Sequence, residues 1–113
     1  EAVRPLVAAL NGEEWSQDDV KPTNASGIAV SKPPRLAEMI EVIKSTNGTG
    51  TTVSEESLTE WQKRLASAEG VFAEMTSAGA FAGLEKLIES GEISSDSNVC
   101  VPVTGSGLKE PLK

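Results

Sequence analysis

The residues best placed to do chemistry stand near the end of the chain, in NVCVPVTGSGLKE, residues 98–110. An apolar run closes on Thr104, and Gly105 and Gly107 follow at once. A hydroxyl at a strand tip can hydrogen-bond a polar ligand. The two glycines would let backbone approach a flat ligand closely, or adopt positive φ. Thr76 and Ser77 open a helical stretch rich in small residues, where free N–H groups and hydroxyls would sit side by side. Gly27 marks the turn into another short apolar segment. A strand that ends in T-G-x-G is also an ordinary tight turn, so the pattern alone leaves both readings open. GSG is no Walker loop, because its glycine spacing is wrong and no helix follows.

Other chemistry is limited by composition. The 113 residues contain no histidine and one cysteine, Cys100. The commonest general base and metal ligand are therefore missing, and a zinc site is not expected. Catalysis would fall to carboxylates, lysine, hydroxyls or a cofactor. Glu13-Glu14 and Glu55-Glu56 read as loop and helix-start charges rather than an acid/base pair. Trp15 and Trp61 read as packing residues, and Cys100, inside an apolar run, as a buried inert thiol. The net charge of −7 argues against a nucleic-acid or anionic-membrane surface. No apolar run approaches the roughly 18 residues of a membrane span, and no signal peptide is visible. One cysteine fits a reducing, cytoplasmic setting. The chain opens on EAVRPLVAALNG without a methionine and is expected to belong to something longer.

The elements that must position these residues alternate. Pro5–Leu10 predicts a short helix ended by Gly12. Residues 13–24 read as a loop. Gly27–Val30 reads as a short strand stopped by Pro33-Pro34. Leu36, Met39, Ile40 and Ile43 form one apolar stripe, so residues 35–45 predict a helix. Residues 50–53 are β-prone. Ser54 caps a helix with Leu58, Trp61, Leu65 and Ala68 on its buried face and Gly70 at its end. Val71–Ala73 reads as a strand, and a helix runs from Thr76 or Ser77 to about Glu89. Its glycines, 79 and 83, need a reason: close packing against a sheet, or a ligand near the helix start. Residues 98–103 form the last strand. This order predicts an α/β fold, part of a three-layer sandwich with a mainly parallel sheet and helices on its faces.

Several segments together resemble a known group. ASGIAVSKPPR (25–35), AEGVFAEMTSAGAFAGLEKL (68–87) and NVCVPVTGSGLKE (98–110) are similar to the carboxyl-terminal third of the threonine synthases, within the fold-type II pyridoxal-phosphate enzymes. TGSGLKE resembles their T-G-x-G-L-K-D, whereas dehydratases carry serine or cysteine before G-G-N. Met75 departs from the usual proline, and Glu110 from the usual aspartate. Those departures bear on the substrate more than on the fold.

The resemblance implies that residues 1–113 are part of the large domain of such an enzyme, incomplete without upstream sequence. It implies pyridoxal 5'-phosphate as cofactor and an amino-acid or phospho-amino-acid substrate. The complete enzyme would convert O-phosphohomoserine to threonine and phosphate, and a homodimer is expected. Thr104 would meet the pyridine nitrogen, and a hydroxyl there does not force that nitrogen to stay protonated. Gly105, Gly27, Thr76 and Ser77 would border the cofactor. Lys109 reads as structural or charge-pairing. The Schiff-base lysine is expected upstream, so this chain would hold no catalytic residue and would be inactive alone. Another fold-type II enzyme, such as a serine/threonine dehydratase, and a free-standing non-catalytic α/β binding module are the alternatives.

Overall fold

Helices form where caps and apolar spacing agree. The computed structural model describes residues 1–110. Pro5 opens α1, Pro5–Leu10, and α2 spans Leu36–Ser45. The Ser54 hydroxyl accepts from the Ser57 amide at 3.2 Å and starts α3, Glu55–Glu69, with Glu55 and Glu56 in its first turn. Gly70 ends it in the left-handed region, at φ 67°. Helix α4 runs Met75–Glu89, and Gly91 follows at φ 82°. Short 3-10 turns lie at Gln17–Asp19, Ser26–Ile28 and Gly107–Lys109.

The centre of the molecule is the packing of α3 on α4. Leu58 and Met75 are buried together with Ala25, and Val53 lies against them. Gly79 is explained here: a Cβ on it would stand 3.0 Å from Leu58 Cδ2. At Gly83 a Cβ would meet Thr51 Cγ2 at 3.4 Å. Both glycines of α4 thus let neighbouring protein come close, and neither needs a ligand. Trp61 stacks on Phe81 with ring centroids 5.9 Å apart, and its indole N–H donates to Glu85 at 2.8 Å. The Trp15 indole donates to the Ser31 carbonyl at 3.0 Å. Both tryptophans are packing residues, as their settings in the sequence predict.

The expected sheet does not form among the described residues. Residues 27–30 hold the end of a 3-10 turn, and residues 50–53 and 98–103 have no regular secondary structure and no ladder partners. The one β contact among the described residues is an antiparallel bridge between Ala73 and Ser106. The reason is that a strand is completed by a neighbour about 4.7–4.9 Å away. These three segments have strand-like composition, but they do not reach one another's backbone. Their apolar side chains stay in the open: Ile28 is 54% exposed, Val99 45% and Val103 47%. Cys100 is exposed for the same reason, against the expectation of a buried thiol. An open apolar groove of about 490 Å³ lies between α4 and residues 99–102. Ala68 is also exposed, because the buried face of α3 ends at Leu65. The apolar stripe of α2 lies against α1 without any residue becoming fully buried. No helix of the described residues is long and apolar enough to cross a membrane.

Candidate functional site

Glu74 stands at the head of α4, and the turn after residue 103 folds onto it. Its φ of −63° and ψ of 159° put it at the cap position, yet its side chain makes no capping bond. The carboxylate faces the 104–109 turn instead. Thr104 Oγ1 donates to Glu74 Oε1 at 3.1 Å, and Lys109 Nζ lies 2.5 Å from Oε2. Glu74 is 5% exposed, whereas the Lys109 side chain is 55% exposed, so the ammonium reaches a buried carboxylate from the solvent side. A negative charge here also suits the positive end of the helix dipole. The backbone repeats the connection: the Glu74 amide donates to the Gly105 carbonyl at 3.0 Å, and the Gly107 amide to the Phe72 carbonyl at 2.8 Å.

One turn into α4, Ser77 is 2% exposed. Its hydroxyl accepts from the Thr104 amide at 2.9 Å and lies 2.8 Å from Thr104 Oγ1. Beside it, Thr76 Oγ1 accepts from the Gly27 amide at 3.0 Å. Gly27, Thr76, Ser77, Thr104 and Gly105, all predicted as site residues, therefore meet around the amino end of α4. Thr104 and Gly27 are themselves exposed.

The glycines have a different role from either one expected. Neither Gly105 nor Gly107 takes a positive φ. A Cβ on Gly105 would stand 2.5 Å from Glu74 Oε1, and one on Gly107 2.7 Å from the Phe72 ring. At Gly27 it would lie 2.8 Å from Thr76 Oγ1. Each glycine thus admits a side chain of the protein's own, and those side chains in turn fix Thr104 and Thr76.

Glu74 is the residue that sequence reasoning missed. The available signal was a carboxylate directly before a helix, together with a lysine directly after a glycine turn. Lys109, whose setting suits a structural or charge-pairing role, has Glu74 as its partner. Glu55, read as a plain helix-start charge, also does more: it accepts from the Asn24 amide at 2.8 Å and from the Thr23 hydroxyl, which ties the approach to Gly27 onto α3. Ser26 donates to Glu110 at 2.5 Å, joining the Gly27 turn to the far side of the 104–109 turn.

The hydrogen bond from Lys109 holds the Glu74 carboxyl below its usual range, against the effect of burial, and the Thr104 hydroxyl adds to the lowering. The same bond raises Lys109, aided by the charges of Glu74 and Glu110. A depressed carboxyl contributes stability above its unfolded value of about 4.5, and loses it as pH falls through the folded value. Lys109→Met is therefore expected to be less stable than wild type at pH 7, with the gap closing as pH falls through the lowered folded value of Glu74. Urea midpoints across that range check this; a gap that persists in acid would remove the pair as its cause.

Residues 1–105 match the family described as pyridoxal-phosphate dependent enzyme. The chain belongs to that family. Among curated proteins, it is 39% identical over 89 residues to the threonine synthase of Methanocaldococcus jannaschii, covering 79% of this chain and 22% of that protein. It is 39% identical to the threonine synthase of Halalkalibacterium halodurans, over 79% of this chain and 25% of the relative. To the threonine synthase of Methanosarcina acetivorans it is 36% identical over 110 residues, 97% of this chain and 26% of the relative. The chain spans about a quarter of the length of these relatives.

The fixed hydroxyl oxygen of Thr104 suits the polar ring end of this family's cofactor. Thr104 is exposed, yet its hydroxyl is already oriented by Ser77 and Glu74. A planar heteroaromatic would meet a fixed oxygen at Thr104, in a turn whose Gly105 is packed on Glu74.

Proposed function

We propose that this chain is the part of a threonine synthase-like enzyme that holds the ring end of pyridoxal phosphate, and that the full-length protein converts O-phosphohomoserine to threonine and phosphate. The similarity to threonine synthases along most of the chain supports the substrate class. The carrying observation is the Thr104 hydroxyl, fixed at the amino end of α4 on an exposed residue.

When bound, the cofactor supplies an electron-withdrawing ring for carbanion chemistry. Thr104 would hydrogen-bond the ring nitrogen and set the ring's tilt. Ser77 would keep the Thr104 hydroxyl in place, and Gly105 would keep the turn flat beside it. Thr76 would hold the Gly27 turn against the other edge. None of these residues forms a covalent bond to the cofactor. The lysine for that task belongs, in this reading, to sequence preceding residue 1, so these 113 residues alone are inactive. In the full-length protein residues 50–53 and 98–103 would join a mainly parallel sheet of an α/β large domain. The exposed Val99 and Val103 support that reading. An amino-acid or phospho-amino-acid substrate, a homodimeric assembly and a cytoplasmic setting belong to the same proposal.

In the full-length protein, Thr104→Val is expected to shift the cofactor's absorption band and lower turnover of O-phosphohomoserine while the far-ultraviolet circular dichroism stays as in wild type. An unchanged band and unchanged turnover would remove Thr104 from the site. Formation of an oxo acid and ammonia in place of threonine and phosphate would replace the synthase reading with a dehydratase one.

A further inference from the structure

The protons around Thr104 can be counted. Its hydroxyl has one proton and two acceptor positions. The proton goes to Glu74 Oε1, at 3.1 Å. Ser77 Oγ lies 2.8 Å from Thr104 Oγ1, and since the Thr104 proton is already used, Ser77 must be the donor of that bond. Ser77 Oγ meanwhile accepts from the Thr104 amide. One lone pair of Thr104 is then left, and no proton. Whatever meets this oxygen from outside must bring a donor.

We propose that Glu74, held by Lys109, is a positioning residue that makes the Thr104 hydroxyl an acceptor and so requires the cofactor's ring nitrogen to carry a proton. The inference rests on the reading of Thr104 given above and goes one step further. From its residue type alone, a threonine at this position is neutral about the proton on the ring. The carboxylate behind it removes that neutrality. Lys109 keeps the carboxylate ionised at neutral pH, because its hydrogen bond lowers the Glu74 carboxyl. A ring that keeps its proton is the stronger electron sink.

Glu74→Gln would turn the polarity round. Lysine has donors only, so the single amide oxygen of the glutamine goes to Lys109. The NH2 group then faces Thr104 and donates to it. The Thr104 proton is released outward, and a neutral ring nitrogen becomes the better partner. Adding Lys109→Met removes the constraint on the amide, which can rotate and accept from Thr104 again.

The test uses the full-length protein loaded with pyridoxal phosphate labelled with nitrogen-15 in the ring, and reads the nitrogen chemical shift at pH 7. Wild type is expected at the pyridinium position, Glu74→Gln displaced toward neutral pyridine, and Glu74→Gln with Lys109→Met back toward wild type. A neutral nitrogen in wild type would overturn the proposal, and that measurement stands even if no folded Glu74→Gln protein is obtained. A pyridinium nitrogen in both wild type and Glu74→Gln would overturn the role of Glu74. Thr104→Val separates the two levels of the argument. If its nitrogen signal equals that of wild type, Thr104 does not meet the ring and the underlying reading falls as well. If it moves while Glu74→Gln does not, only the inference about Glu74 falls.

Discussion

Gly105→Ala is expected to destabilise the protein by about 1–3 kcal/mol, the usual cost of forcing a carbon into filled space. The added Cβ would lie 2.5 Å from Glu74 Oε1 and 2.7 Å from its Cδ. A carboxylate at the free end of an exposed side chain would swing away at little cost. This one is buried, bonded to Thr104 at one oxygen and to Lys109 at the other. Moving it breaks both bonds and releases the Thr104 hydroxyl, so the loss of stability should come with weaker cofactor retention in the full-length protein. Gly50→Ala is the contrasting case. There the added carbon would come too close only to Leu10 Cδ1, at 2.8 Å, with Val7 Cγ2 at an ordinary 3.5 Å, and Cδ1 is the far end of a half-buried side chain. Urea midpoints of the two variants should separate clearly, with Gly105→Ala the lower. Equal midpoints would mean that Glu74 yields freely, and that its two bonds hold nothing in place.

The helices were legible because what specifies them is local. Ser54, Gly70 and Pro5 act within a turn of where they stand, and the helices begin and end within a residue or two of those marks. The sheet was not, because a strand is only half specified by its own residues. NVCVPV has the composition of a buried strand, but its amides and carbonyls need a second chain segment beside them, and the described residues bring none. Cys100 was misplaced by the same inference: its burial follows from a sheet that these residues do not form. On α2, Leu36, Ile40 and Ile43 of the expected stripe are half-buried but Met39 is exposed, because the depth of burial depends on what lies opposite, and α1 covers only part of that side.

The site divides in the same way. Hydroxyls and glycines at the ends of apolar segments drew attention to Thr104, Gly105, Gly27, Thr76 and Ser77, and the fold brings them together. What no local pattern conveyed is why the glycines are there. Gly105, Gly107 and Gly27 face Glu74, Phe72 and Thr76, partners that precede or follow them by 31, 35 and 49 positions in the numbering. Steric exclusion between residues that far apart appears only once the chain has folded. Glu74 was hidden for a related reason. A glutamate before a helix is common, and only the return of Lys109 distinguishes this one.

Leu58→Ala is expected to have the largest effect on stability, about 2–5 kcal/mol. Leu58 is 2% exposed and fills the space between α3, the start of α4 and the Ala25 turn, in contact with Met75 and Ala25. Gly79 is packed against its methyl group, so at that point α4 has no side chain to refill the hole. Such a loss is a large part of the 5–15 kcal/mol that separates folded from unfolded in a typical protein. Its consequences should reach the site, because Ala25 stands two residues before Gly27 and Met75 immediately before Thr76. Those are the two ends of the Gly27–Thr76 hydrogen bond. Hydrogen exchange at the Gly27 amide should therefore accelerate in Leu58→Ala, together with the drop in urea midpoint. A protein that loses stability while Gly27 exchanges as slowly relative to the global opening rate as in wild type would show that the core and the site are seated independently. The expected result instead makes the Leu58 cluster the base on which the head of α4, and with it Thr76 and Ser77, is held.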